Sequence, residues 1–139
     1  YREAYEKALQ LLNVRFLSEG ELKAKLRRRG VDDDVLEDVV AALEGEHFLD
    51  DQRLARDVYR YYARKGQYGH LYIVNRLRRR CLPVPEDVER PDEYALAGDL
   101  VKRKFSYRAD EARKAARFLQ YRGFSPSVIR DVLEDFTVH

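Results

Sequence analysis

Nine cationic side chains fall between Gln52 and Cys81: Arg53, Arg56, Arg60, Arg64, Lys65, Arg76, Arg78, Arg79 and Arg80. A single acid, Asp57, opposes them, so the window carries +8 while the whole chain carries only +2. Five of the ten tyrosines, Tyr59, Tyr61, Tyr62, Tyr68 and Tyr72, lie in the same window. Cations interleaved with aromatic rings bind without bond-making: the cations attract a polyanion or an acidic protein groove, and the rings offer faces to unpaired bases. Covalent chemistry finds no such concentration. The histidines, His47, His70 and His139, lack metal-ligand spacing and have no cysteine near them. Cys81 stands without a histidine and carboxylate to activate it, which makes it a packed thiol rather than a nucleophile. The acids sit at helix starts or on polar faces, so no general acid–base pair can be chosen. Gly66 and Gly69 are turn glycines, because no Gly-Lys-Ser/Thr follows them and no strand precedes. The expectation is a binding protein with no catalytic site, metal or cofactor.

The elements that must position this window are helices. Tyr5, Ala8, Leu9, Leu12 and Phe16 recur at three- and four-residue spacing and predict a first helix over 2–16 with these side chains inward. Ser18 and Glu21 have the form of a capping box opening a second helix, with Leu22 and Leu26 inward and Lys23, Lys25, Arg27, Arg28 and Arg29 mostly outward. Gly30 stops it, and Asp32 opens a third helix carrying Val35, Leu36, Val39, Val40 and Leu43. The same punctuation returns 93 residues later, where Leu119, Arg122, Gly123, Phe124 and Val128 match Leu26, Arg29, Gly30, Val31 and Val35. At an offset of 51, Ile73, Leu77, Arg80 and Cys81 match Leu22, Leu26, Arg29 and Gly30. Self-similarity of this kind marks a repeat architecture. The prediction is an all-α chain of three tandem three-helix repeats in an elongated, curved array, divided at 1–46, 47–91 and 92–139. In the middle repeat Cys81 replaces the stop glycine, and Pro91 cuts the third helix, 86–90, to barely more than a turn. Asp50 is the expected N-cap of the middle repeat's first helix, with Leu49 stapled to Leu54, Phe48 in the joint between repeats and Asp51 beside it as a structural acid. In the third repeat Tyr94, Ala97, Leu100, Val101 and Phe105 are expected inward.

With 139 residues and a mean hydropathy of −0.65, thin helical layers are favoured over one thick core. No apolar run is long enough to span a membrane, and one cysteine excludes an internal disulfide, which suits a reducing compartment. The chain has no methionine, so the initiator and an N-terminal arm are expected to lie outside it.

Four motifs together resemble one family. They are Ser18-x-x-Glu21-Leu22-x-x-Lys25-Leu26 with Arg29-Gly30, then Phe48-Leu49-Asp50-Asp51-x-Arg53-Leu54-Ala55, then Lys65-Gly66-x-x-Gly69-x-x-x-Ile73-x-x-x-Leu77, and finally Phe118-Leu119-x-x-Arg122-Gly123-Phe124-Ser125. In this order, across nearly the whole chain, they resemble RecX, the bacterial regulator of the recombinase RecA. The resemblance implies a cytoplasmic, monomeric, non-enzymatic protein that binds the RecA nucleoprotein filament in homologous recombination, DNA repair and the SOS response. It would modulate the filament's ATPase, recombinase and coprotease activities, with contacts to single-stranded and also double-stranded DNA. The expected contact residues are the nine cations above with Tyr68, Lys25, Arg28 and Arg122; Asp50, Asp51, Gly30, Gly66, Gly69 and Gly123 are expected to be structural. The competing reading is a direct DNA binder, because three-helix units with short turns also resemble helix-turn-helix readers. Against it, Asn75 and Gln52 are the only obvious side chains in the basic helices suited to reading adenine.

Overall fold

A computed structural model of the chain describes residues 1–105 and 109–138. His139 lies outside the described residues, which are helical with no strand among them. Eight α-helices follow in order: α1 (Arg2–Val14), α2 (Glu19–Arg28), α3 (Asp33–Gly45), α4 (Asp51–Arg64), α5 (His70–Arg79), α6 (Glu93–Lys104), α7 (Ala112–Tyr121) and α8 (Pro126–Val138). A short 3-10 turn, Ala109–Glu111, precedes α7. The chain divides into two compact units, Tyr1–Asp57 with Leu77–Pro85 and Val58–Arg76 with Glu86–His139, so the boundary falls inside α4 and α5.

In the first unit α1, α2 and α3 pack on one another. Their apolar stripes close over Ala8, Leu22, Leu26, Leu36, Val39 and Leu43, all fully buried. Each leucine or valine among them contributes about 1.5–3 kcal/mol when removed from water. The capping box forms: Ser18 Oγ accepts from the Glu21 amide at 3.0 Å, and Glu21 Oε1 accepts from the Ser18 amide at 2.9 Å. In the second unit α8 packs on α6 and α7 around Ala97, Val101, Ala115, Leu119 and Phe124.

Helix ends follow one design. After α2, α5 and α7 the chain turns through a left-handed residue, Gly30 (φ 83°), Cys81 (φ 58°) and Gly123 (φ 85°). In each turn the next amide reaches back five residues: Val31 to Leu26 at 3.1 Å, Leu82 to Leu77 at 2.9 Å, and Phe124 to Leu119 at 3.1 Å. His47 (φ 65°) does the same after α3, with Phe48 N–H on the Leu43 carbonyl at 2.9 Å.

Five local expectations need correction. Cys81, expected to be a packed thiol, is exposed in the turn after α5. Phe16 is 77% exposed, because α1 ends at Val14 and Arg15 turns extended before the ring could join the stripe. Phe48 is 51% exposed rather than enclosed in a joint; the left-handed turn at His47 buries Leu49 instead. Tyr94, in the first turn of α6, is also exposed. The single turn expected over 86–90 does not form: residues 82–92 contain bends without a helix, hemmed in by Pro83, Pro85 and Pro91.

Candidate polyanion interface

The basic window folds into α4, a short connector and α5. Gly66 (φ 63°) ends α4, where side chains other than glycine pay a steric penalty. Gly69 then enters α5 with an ordinary φ, and its lack of a side chain serves close approach rather than a turn. A Cβ there would stand 2.5 Å from the Gly123 carbonyl oxygen, and one on Gly123 would stand 2.2 Å from the Tyr72 nitrogen. That proximity lets the turn after α7 cap the start of α5. The Arg122 carbonyl accepts from the Gly69 amide at 2.8 Å, and the Gly123 carbonyl accepts from the Leu71 amide at 3.1 Å. Glu93 Oε1 accepts from the His70 amide between them, at 2.8 Å. Three amides that a helix start leaves without an internal partner are thereby satisfied.

On this anchored connector the rings and cations converge. Tyr68 and Tyr72 stack with centroids 3.9 Å apart and planes 6° from parallel, and Tyr62 meets both edge-on at 6.0 Å. Tyr61 lies edge-on to Tyr62 at 5.2 Å and is 56% exposed. One turn beyond Tyr72 on α5, Arg76 donates twice to its hydroxyl, at 2.8 and 3.2 Å, with its guanidinium 5.2 Å from the ring. Those bonds hold the Tyr72 phenol below its ordinary pKa, outweighing partial burial. Lys65 lies 4.7 Å over Tyr61, and Arg122 lies 5.6 Å from Tyr68 and 4.8 Å from Phe118. Beneath the cluster, Tyr59 is fully buried with its hydroxyl 2.9 Å from His70 Nδ1. Burial, with Arg90 nearby, pushes the His70 pKa down, so the ring is neutral at pH 7 and Nδ1 can accept from the phenol.

The structure thus gathers Lys65, Tyr68, Arg76 and Arg122 with Tyr61, Tyr62 and Tyr72. Arg60 and Arg64 are exposed on α4 in the same compact unit. Arg53, Arg78, Arg79 and Arg28 are exposed in the other unit, with Lys25 half-buried; Arg56 is half-buried and has a partner of its own. Arg80 faces inward. It donates to the Phe16 carbonyl at 2.8 Å and to both Glu21 oxygens at 3.0 and 3.2 Å. Burial alone would raise the Glu21 pKa; the Arg80 bonds and the Ser18 amide bring it below the ordinary value. Arg122 is similarly engaged, on the carbonyl and side-chain oxygens of Gln67 at 3.2 and 2.8 Å. The two expected contact residues at helix ends therefore have intramolecular tasks. Asp50 caps α4 through the Arg53 amide at 3.1 Å, and Asp51 accepts from the Glu19 amide at 2.9 Å. Sequence reasoning missed Phe118 and Lys104, whose ammonium sits 4.3 Å over the Phe118 ring; 14 residues apart and on different helices, they carry no local signal of being neighbours. Among the described residues no histidine, cysteine and carboxylate group could hold a metal, and no helix is long and apolar enough to cross a membrane.

Residues 4–43 match the family model for the first three-helix domain of RecX, and residues 91–133 match that for its third. The chain is 30% identical over 99% of its length to the regulatory protein RecX of Geobacillus kaustophilus, but it spans only 55% of that protein. It is 32% identical to RecX of Pelodictyon phaeoclathratiforme, covering 91% of this chain and 84% of that one, and 33% identical to RecX of Vibrio cholerae, covering 93% and 90%. The crystal structure of RecX from Lactobacillus salivarius superposes with a TM-score of 0.79 at 21% identity, over 99% of this chain and 97% of that one.

Proposed function

The chain belongs to the RecX family, and from that membership and the chemistry of α4 and α5 we propose that it is a non-enzymatic regulator of RecA. It binds the RecA nucleoprotein filament in the cytoplasm as a monomer and restrains ATP hydrolysis, strand exchange and coprotease activity, and so acts on recombination, DNA repair and the SOS response. The three segments 1–46, 47–91 and 92–139 are its modules. The observation that carries this reading is the packed set of Tyr61, Tyr62, Tyr68 and Tyr72 with Lys65 and Arg76. Rings held by cation contacts suit a strand whose bases are unpaired, as in a recombinase filament, and such stacking tolerates any base. Exposed Arg60 and Arg64 supply phosphate contacts, with Arg53, Arg78 and Arg79 adding charge.

The deciding experiment is the DNA-stimulated ATPase of RecA with and without this chain. The expected result is a dose-dependent fall in hydrolysis that weakens when Tyr68 and Arg76 are replaced by alanine. An unchanged rate at saturating chain would refute the proposal. Binding to one duplex sequence about a thousandfold tighter than to others would favour a direct helix-turn-helix reader instead.

A further inference from the structure

Two contacts recur at the offsets that relate the repeats. In the first compact unit the Glu19 amide at the start of α2 donates to Asp51 at the start of α4, and Arg80 at the end of α5 donates to the Phe16 carbonyl. In the second, the His70 amide at the start of α5 donates to Glu93 at the start of α6, and Arg122 at the end of α7 donates to the Gln67 carbonyl. Glu19 and His70, like Phe16 and Gln67, are 51 apart; Asp51 and Glu93, like Arg80 and Arg122, are 42 apart. Each later repeat therefore grips the one before it with an acid on a helix's first amide and an arginine on the carbonyl preceding that helix. Both grips need a residue without a side chain beneath the turn. Gly20 lies under Cys81, where an added Cβ would stand 2.7 Å from the Cys81 Cβ, and Gly69 lies under Gly123.

The first repeat carries the same turn with none of the described residues seated in it. Arg29 caps α2 where Arg80 and Arg122 follow α5 and α7, Gly30 is left-handed like Cys81 and Gly123, and the backbone bond reaching five residues back is the same. Yet Arg28, Arg29 and Gly30 are all exposed, and a Cβ on Gly30 would meet nothing within 4 Å. The Arg29 guanidinium has no hydrogen-bond or ion-pair partner among the described residues. We propose that the Arg29-Gly30 turn is a docking edge for the N-terminus of a helix in a protein partner. That helix presents a glycine or comparably small residue in its first turn and a carbonyl or carboxylate oxygen to Arg29.

A second copy of the chain does not supply this seat. The matching helix start in the third repeat is α7, where Glu111 and Arg113 stand in place of Gly69 and Gly20. Their side chains block the close approach, and Arg113 with Lys114 would face Arg28 and Arg29 with like charge. Head-to-tail growth into an open filament is thereby avoided. The inference rests on the regulatory reading above and deepens it by assigning this edge to the protein component of the filament rather than to its DNA.

The test measures binding of the full chain, and of Arg29→Ala and Arg29→Lys, to a RecA filament on single-stranded DNA and to the same DNA alone. Lysine keeps the charge but loses the two-pronged geometry of the guanidinium, and guards against a folding artefact in the alanine variant. Both variants are expected to weaken filament binding by about tenfold while binding bare DNA within about twofold of the parent. Filament binding equal to the parent's, or an equal loss on bare DNA, overturns the docking edge and leaves the regulatory reading standing. A parent chain that does not bind the filament at all overturns that reading, and this inference with it.

Discussion

Replacing Gly123 by alanine separates two roles that one glycine combines. Its φ of 85° imposes on alanine a steric cost of about 1–2 kcal/mol. Gly30 has nearly the same φ, 83°, but open space around its missing Cβ, so Gly30→Ala measures that term alone. A less flexible unfolded chain returns part of it, leaving a net loss of about 1 kcal/mol. At Gly123 the new Cβ would in addition stand 2.2 Å from the Tyr72 nitrogen and 2.7 Å from its Cα, both backbone atoms that no rotamer change can move. Separating the turn from α5 costs about 1–3 kcal/mol of strain and weakens the capping bonds to Gly69 and Leu71, each worth about 1 kcal/mol. Gly123→Ala should therefore lose about 3–5 kcal/mol, a large part of the stability of a domain this size. Urea unfolding followed by far-UV circular dichroism reads both variants. Gly69→Ala, at an ordinary φ, should lose the contact term without the φ term and so fall about 1 kcal/mol short of Gly123→Ala, and the double variant should fall well short of the sum, because both break one contact. Equal losses for Gly30→Ala and Gly123→Ala would mean that the turn and α5 do not touch, and the anchoring of the tyrosine connector would have to be abandoned.

Arg80→Ala leaves the half-buried Glu21 with its capping amide and Arg15 at 3.5 Å but without its two arginine hydrogen bonds, so it should destabilise the chain by about 1–2 kcal/mol at pH 7, an effect that fades as the pH falls through the lowered folded pKa of Glu21. Cys81→Gly relieves a left-handed side chain and should raise urea resistance by up to about 1 kcal/mol, whereas a fall would assign that turn's stability to the Cys81–Gly20 contact. His70 has a folded pKa below its unfolded one, so its contribution is present above about pH 6.5 and is lost as pH falls through the folded value; a melting temperature flat between pH 7 and pH 5, corrected with His70→Gln, would contradict the buried Tyr59 pair. Arg78→Glu with Arg79→Glu should flatten the salt dependence of binding to single-stranded DNA, and an unaltered slope would remove both residues from the interface. Amides across 84–92, which lack helical bonds, should exchange well before those of Leu22 to Leu43, and equal protection would show that the proline-rich segment is held by contacts of another kind.

The helical layout was legible because its signals are local. Three-residue and four-residue apolar spacing, the Ser18 capping box and the glycines after α2 and α7 each act within one or two turns of chain. The errors fall where an element stops. Phe16 continues the α1 stripe in sequence, but the helix unwinds at Arg15 and the ring swings into solvent. Glu86 to Arg90 has helix-compatible residues, but prolines on both sides leave too few positions to recover the cost of nucleation.

The candidate site was legible as a composition and not as a geometry. Counting charge could not separate Arg76, which orders tyrosines, from Arg80 and Arg122, which hold one repeat onto another, since all three are arginines on or just after a helix's last turns. The repeat offset does separate them. Arg29, Arg80 and Arg122 occupy one position in three copies, and two of the three find a carbonyl in the preceding copy. Arg76 sits one turn earlier in its helix, at the position taken by Lys25 in the first repeat and Phe118 in the third. A cation conserved in place by internal repetition is thus set aside for assembly, while a cation at a position the repeats fill differently is available for a task of its own. By that criterion Arg76, together with Tyr68 and Tyr72, whose counterparts in the first repeat are Leu17 and Glu21, is where the middle repeat departs from its neighbours. The proposed function draws on that departure, which falls on the connector and first turns of α5, where the tyrosine stack lies.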